Sequence, residues 1–332
     1  MVKSHLKNAF SRVFDPDGFP KTLLTYFLFQ GYRFPVLLIK KFLLIYEACF
    51  HLCLYDEGKS RDFPILKGRD SPVDLSIVII NYQMGHHLSS CLSSIFSGGH
   101  KISYEVILVN KPSGDGAEKF VDQYPELKLI PYKKFGISVM RNVGIRQSKG
   151  RYVLILDIDT EVKPGTLDAL VQFMEDHPKA GVAGGRTIHP DGSMEYSCKR
   201  FYTPLTILFR RTPLGIWFPN NRWERWHLMM DEDHDQPLEC DWVAGACLLI
   251  RRETYEQMGL FDESFYFGFE DVDFCFRAKR AGWSVYYVPS SLIVHHVQRK
   301  SLGFNMLSWE HLKSGLRFWW KHYVRHQGGK DL

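Results

Sequence analysis

The sequence predicts an α/β layered domain with a mostly parallel central sheet and helical additions at both ends. Two observations predict it. Short, apolar, β-branched runs recur between residues 75 and 156 and alternate with stretches of helical spacing, the order of strands and crossover helices in a layered sheet. The runs are also continuous rather than alternating, as in parallel strands covered on both faces.

The elements follow in order. Leu75–Ile80 is a first buried strand, and residues 87–96 have helical spacing. Residues 104–109 and 127–130 make a second and a third strand. Ile137–Gln147 is a helix ending near Lys149-Gly150, and Tyr152–Leu156 a fourth strand. A helix over 164–176 then carries Pro164 in its first turn, where a missing N–H costs nothing. Glu270 opens a helix running to Arg280, and residues 292–294 are strand-like. Ligands of such sheets bind beyond the carboxyl ends of the strands, so Asn81-Tyr82, Asn110-Lys111 and Asp157 are the positions to follow.

Residues 1–72 form a basic, apolar N-terminal region closed by a polar linker, 73–300 the layered domain, and 301–332 a terminal amphipathic helix. Within 22–55, apolar runs are broken by Arg33, Lys40 and Lys41. No uninterrupted apolar run reaches the ~18 residues of a spanning helix. Two short amphipathic helices lying in a membrane interface, or packing on the layered domain or a partner, both fit. The C-terminal helix carries the same two alternatives.

Hydrophobic residues make up 45% of the 332 and charged residues 24%, enough for a sizeable core and against bulk disorder. The net charge is +5, and residues 1–72 alone hold 11 Lys/Arg against 7 Asp/Glu. That placement favours an anionic surface near the N-terminus over a nucleic-acid groove. The seven cysteines are odd in number and contain no CxxC pair, which fits a reduced compartment. The opening MVKSHLKNAFSRVF lacks the apolar core and cleavage site of a signal peptide. The expected place is the cytoplasm, peripheral on the cytoplasmic face of a membrane.

Three features can carry chemistry. In LILDIDTEV, Asp157 and Asp159 stand at i and i+2, which share a face if the strand continues. Both carboxylates can then converge on one hard cation, Mg²⁺ or Mn²⁺, that neutralises a diphosphate; strand-end turns also favour Asp for its own sake. Glu270-Asp271-Val272-Asp273 stands among Phe265, Tyr266, Phe267, Phe269 and Phe274. Carboxylates beside aromatic walls make general bases, and acids also gather at helix N-termini for the dipole. His295-His296 follows a strand, so one of the two can face the site and the other faces away.

With these features in view, residues 75–300 resemble glycosyltransferase family 2, with its GT-A fold, in the branch of bacterial rhamnosyltransferase-like enzymes of polysaccharide biosynthesis. LSIVIINYQ resembles the family's first strand and LVNKPSGDG its nucleotide-binding second strand end. GISVMRNVGIRQSKGRYVLILDID resembles its helix and metal strand, and CDWVAGACLLIRRETYEQMGLFDESFYFGFEDVDFCFRAKRAGW its acceptor and base region. The resemblance implies inverting, metal-dependent transfer of a hexosyl or deoxyhexosyl group. The donor is a nucleotide diphosphate sugar and the acceptor a saccharide hydroxyl, expected on a lipid-linked saccharide. It implies Asp271 as base beside Glu270, and Tyr82, Asn110, Asp115, Arg141, Asn142 and Asp157 at the donor. It implies Asp157 and Asp159 at the metal with His295 or His296, His296 being slightly preferred. Trp242 and Gly245 shape the acceptor pocket. One departure is plain: Asn110-Lys111 stands where the family usually has Asp-Asn, and an amide donates where an ionised Asp only accepts.

Gly184-Gly185-Arg186 reads as a turn, at the donor or at a strand end. The pairs Lys199-Arg200 and Arg210-Arg211 read as a solvated loop or as a seat for an acceptor diphosphate. Two rivals remain: a sugar nucleotidyltransferase, and a non-catalytic carbohydrate-binding protein. The first needs a Gly-rich basic loop after the first strand, where this chain has NYQMGHHLSS; intact Asp157, Asp159 and Asp271 argue against the second.

Overall fold

The computed structural model describes residues 73–211, 217–219, 221–297 and 306–324. The N-terminal helices and most of the linker expected over 1–72 lie outside the described residues. Of the described residues, those from 73 to 311 fall in one compact unit and those from 312 in another.

The first strand, β1 (Leu75–Asn81), is buried on both faces, with Leu75, Ile77, Val78 and Ile79 wholly inaccessible. Each such side chain contributes ~1.5–3 kcal/mol on burial, which fixes β1 at the centre. It pairs in parallel with β2 (Tyr104–Asn110) on one side and β4 (Tyr152–Leu156) on the other. Parallel β3 (Leu127–Pro131) closes that edge. Helix α1 (Gly85–Phe96) buries Leu88, Leu92 and Ile95. A short α2 (Phe120–Gln123) precedes β3, and α3 (Ile137–Gln147) follows it. α3 lies close on β1: a Cβ at Gly144 would fall 2.3 Å from Val78 Cγ1, so only glycine fits there.

Beyond β4 come β5 (Thr160–Val162), α4 (Thr166–Asp176) and β6 (Ala180–Ile188). α4 starts two residues later than Pro164 suggested, because Gly165, with φ of 80°, turns the chain at its N-cap. A long excursion carries β7 (Met194–Glu195), β8 (Cys198–Lys199), α5 (Pro204–Arg211), α6 (Arg222–His227), β9 (Leu238–Cys240) and β10 (Trp242–Val243). The chain re-enters the sheet as β11 (Cys247–Arg251), antiparallel to both β4 and β6. α7 (Arg252–Met258), α8 (Glu270–Arg280) and β12 (Ser284–His295) complete the layered unit, β12 running parallel to β6. The sheet order is β3-β2-β1-β4-β11-β6-β12-β5. Parallel pairing dominates the main strands, as expected, with β11 turned against it. Gly184 and Gly185 sit inside β6, not in a turn; Gly184 lets Val243 approach, since a Cβ would meet it at 2.7 Å.

The terminal helix α9 (Met306–Trp319) continues as a wider turn over Trp320–Val324. No helix among the described residues is long and apolar enough to cross a membrane. The five described cysteines are free and buried.

Candidate active site

The carboxyl ends of β1, β2 and β4 hold three polar groups in a row. At the first two, Asn81 donates one amide hydrogen bond to Asn110 (2.8 Å) and one to Asp115 (2.9 Å). Asn110 in turn donates to Glu118 (2.9 Å). This bond explains the departure at position 110: an ionised Asp could accept from Asn81 but could not donate to Glu118. The Asp115 carboxylate also accepts from the Gly85 N–H at the start of α1. Burial works to raise its pKa, but the bonds from Asn81, Ala117, Ser113 and Gly85 prevail and lower it. Beside this knot the Tyr82 ring leans on Phe135 (4.8 Å) and lies under Lys111 Nζ (3.8 Å). Tyr266 closes the same aromatic wall edge-on to Phe135.

Asp157 and Asp159 do converge, but not as a strand face. β4 ends at Leu156 and the two acids occupy the turn before β5, tied by a Thr160 hydroxyl donating to the Asp157 carbonyl (2.7 Å). Ligand atoms of Asp157, Asp159 and His295 all lie within 4.8 Å of one another. The preference for His296 is reversed: its Nε2 turns to Glu161 at 3.0 Å, while His295 Nε2 stands 3.4 Å from Asp159. β12 alternation sets this, since it pairs His295 with Thr160 next to the acidic turn. On its far side His295 Nδ1 meets Glu195 at 2.8 Å. A carboxylate behind a ligating imidazole is the usual support of a metal-bound histidine.

The electrostatics agree with a site that draws cations. Burial raises the Asp157 pKa, with Asp159 adding to the rise and Arg141 opposing it. Burial works to raise Asp159, but the hydrogen bond and charge of His295, with a backbone bond and the charge of His87, together prevail and lower it. Burial disfavours the charged imidazole of His295, yet Asp159 and Glu195 raise its pKa to about 10. Two carboxylates, one imidazole and a supporting acid fit a divalent cation carrying diphosphate oxygens.

Arg141 joins this cluster to the next one. Its guanidinium is 2% exposed and pairs with Asp157 (2.9 Å) and Glu270 (2.8 Å), and it donates to the Gly245 carbonyl. Asn142 is equally buried, exchanging hydrogen bonds with the Phe261 backbone and donating to Glu263. The protein's own groups hold both residues expected at the donor: Arg141 as the buried counter-ion of the site and Asn142 as a brace for the loop before α8. Both lie on the buried face of α3, which a sequence does not label.

At α8 the neighbouring acids part company. Phe269 caps the helix with φ of 68°, an unusual conformation for a bulky residue that aims the first turn. Glu270 is buried against Arg141, with one carboxyl oxygen left without a partner. Burial and the adjacent Asp271 push its pKa up to about 7 despite Arg141. Asp271 is more open and accepts from the Gly245 N–H at 3.0 Å. The Asp157 N–H is bonded to the Ala246 carbonyl (3.1 Å), so one short segment touches both acidic clusters. A Cβ on Gly245 would strike Arg141 at 2.7 Å. Trp242 is buried beside this segment, its indole N–H donating to the Arg200 carbonyl. Glu195, at the end of the two-residue strand β7, was not foreseen; nothing in the local sequence marks it.

Comparison with known proteins bears on this arrangement. A family model described as glycosyltransferase like family 2 matches residues 72–311. The N-acetylglucosaminyl-diphospho-decaprenol L-rhamnosyltransferase of Mycobacterium tuberculosis is 31% identical over 236 residues, 67% of this chain and 76% of that protein. The low-salt glycan biosynthesis hexosyltransferase Agl10 of Haloferax volcanii is 25% identical, over 69% of this chain and 67% of that protein. Among solved structures, GalNAc-T7 with UDP, GalNAc and Mn²⁺ aligns at a TM-score of 0.58 with 17% identity, covering 78% of this chain and 50% of that one. At that identity the likeness speaks for the fold alone, which is GT-A.

Proposed function

This chain belongs to glycosyltransferase family 2, and from that premise we propose an inverting, metal-dependent transfer onto a lipid-linked saccharide with Asp271 as the base. It is a glycosyltransferase that uses a nucleotide sugar. The observation that carries the finer reading is the shared segment: Gly245 binds Asp271 and Ala246 binds Asp157, while Arg141 spans Asp157 and Glu270. The acidic turn and the open acid of α8 are thereby held side by side.

A divalent cation held by Asp157, Asp159 and His295 would supply charge neutralisation at the departing diphosphate. The protein's own groups do the rest. Asp271 takes the proton from the acceptor hydroxyl as that oxygen bonds to the anomeric carbon. The bond from that carbon to the diphosphate oxygen breaks, and its electron pair leaves with the nucleoside diphosphate. One displacement inverts the carbon. The Gly245 N–H holds Asp271 in place, and Arg141 offsets the charge of the acids around it. Tyr82 and the Asn81–Asn110–Asp115 knot face the nucleoside side, and Trp242 with Gly245 the acceptor side.

A lipid-linked acceptor is supported by the name of the mycobacterial relative, an enzyme of a diphospho-decaprenol substrate. With such an acceptor, the basic, apolar residues 1–72 and the helix within 301–332 would rest on the cytoplasmic face of the membrane, flanking a catalytic domain over 73–300.

The test compares Asp271→Asn with Glu270→Gln, measuring kcat and donor affinity against a panel of nucleotide sugars. Loss of general-base help costs ~10²–10⁴-fold in rate, and Asp271→Asn alone should show it with donor affinity intact. If Glu270→Gln shows that pattern and Asp271→Asn does not, the base is the other acid.

A further inference from the structure

The excursion between β6 and β11 gathers two cations, Lys199 and Arg210, that form no ion pair among the described residues. Lys199 and Trp242 face each other across the β8–β10 pair, and the ammonium lies 4.4 Å over the indole ring. Lys199 forms no ion pair among the described residues. Arg210, at the end of α5, buries one guanidinium nitrogen without a hydrogen-bond partner. His227 is wholly buried 4.4 Å from the Tyr202 ring, with neither ring nitrogen bonded. Several neighbouring cations are matched: Arg186 by Asp235, Arg200 by Glu232, Arg277 by Asp273 and Lys279 by Asp241. A partly buried charge without an ionic partner is costly, so a pair without one beside the acceptor residues suggests that the partner arrives with the ligand.

The mutual effect of these groups agrees. Burial and the charge of Arg210 bring the Lys199 pKa down to about 8. The same two causes hold His227 neutral, at about 2. Lys199 also feels the charges of Glu195 and then of Asp271, which places it between the support of the acidic turn and the base, while its stacking on Trp242 sets it on the acceptor side.

We propose that Lys199 and Arg210 seat a phosphate or diphosphate group of the acceptor, with Trp242 forming the floor beside it. This rests on the lipid-linked acceptor proposed above and adds the groups that recognise it. An anion there completes the two bare cations and fixes the attached saccharide with its hydroxyl toward Asp271. A phosphate-free glycoside would bind without that anchor.

The probe is farnesyl diphosphate, with farnesol as its uncharged counterpart, titrated calorimetrically against the full chain in EDTA. Chelation prevents the diphosphate from binding through a divalent cation at Asp157, Asp159 and His295. A charge-assisted contact is worth ~1.5–3 kcal/mol, so Lys199→Gln and Arg210→Gln should each weaken the diphosphate about 10- to 100-fold by that measure. Farnesol affinity should stay level. Lys199→Arg, which keeps the charge, should retain binding, and Lys279→Gln controls for net charge. Thermal melts confirm that each variant is folded. Equal diphosphate affinity in wild type and both Gln variants overturns the proposal. So does a pattern in which nucleoside diphosphates lose affinity and farnesyl diphosphate does not, since the cations would then serve the donor. Metal-dependent turnover of nucleotide sugars is measured separately; its failure would sink the active-site reading while these affinities kept their meaning.

Discussion

Replacing Arg141 by Met removes the cation shared by a buried acid, Glu270, and a partly exposed one, Asp157. The guanidinium is 2% exposed and reaches Asp157 and Glu270 at 2.9 and 2.8 Å; its loss leaves Glu270 in the interior without compensation, while Asp157 keeps partial exposure and His295 nearby. Breaking a buried pair from one side costs about 3–5 kcal/mol. For a domain of this size each kcal/mol moves Tm by about 2–4 °C, which gives a fall of about 6–20 °C. The pH dependence has a definite sign. The pKa of Glu270 already stands at about 7, above its ordinary 4.5, through burial and Asp271. A raised carboxyl is no burden when protonated and becomes one as pH rises through its folded value. The deficit of Arg141→Met should therefore be smallest near pH 5 and fullest above pH 7. Arg141→Lys keeps a charge but cannot fork to two acids, and should lie between. In a cycle with Glu270→Gln, the double variant should lose less than the sum of the singles by about 1–3 kcal/mol. The assays are urea titration and thermal melts over pH 5–8. A loss under about 1 kcal/mol, small beside the ~3–5 expected for a buried counter-ion, would refute the reasoning, as would a deficit indifferent to pH.

Other outcomes follow from the same geometry. Asp159→Asn should abolish turnover in a folded protein; near wild-type activity would move the metal site elsewhere. Calorimetry with Mn²⁺ should show Glu195→Gln weakening the metal about 10- to 100-fold through His295, and His296→Gln leaving it unchanged. Lys199→Met should stabilise the protein at pH 7 by at most about 3 kcal/mol, the equivalent of its shift from 10.5 to about 8, and by less if water screens the ammonium. That gain should shrink as pH climbs from 8 toward 10.5, where the wild-type lysine folds uncharged; a gain constant with pH would count against it. The full chain should sediment with anionic liposomes and a chain beginning near Ser71 less so, while equal sedimentation would shift attachment to the C-terminal helix.

The half of the sheet that could be read from sequence is the half built from unbroken apolar strands. Residues 75–81, 104–110 and 152–156 carry no polar interruption in their cores, so their burial on both faces was legible. β12 was legible only over 292–294, because its polar middle and its register shift between Val288 and Leu292 hide a strand of 12 residues. β11 is apolar enough, yet nothing local says that it runs against both neighbours. The acids of the site could be listed from their spacing, but which of two adjacent residues faces inward depends on register. Spacing therefore left His295 and His296 open. Arg141 shows the same limit: the resemblance places it at the donor, and only packing shows that two carboxylates of the protein hold its guanidinium.

The place where β6 and β11 lie side by side is also a seam. The chain between Ile188 and Cys247 departs after β6 and returns at β11, with β7 and β9 still paired to β6 and β12, and it carries Lys199, Arg210, His227 and Trp242. The nucleoside side, from Tyr82 to Asp115, comes from another stretch of chain. Under the proposed site roles the excursion is a cassette: exchanging it between members of the family would change what receives the sugar while leaving intact what delivers it. Two conditions bind any graft. It must end on a glycine, whose peptide Asp271 and Arg141 hold from opposite sides, and it must return an acid to the place where Glu195 backs His295.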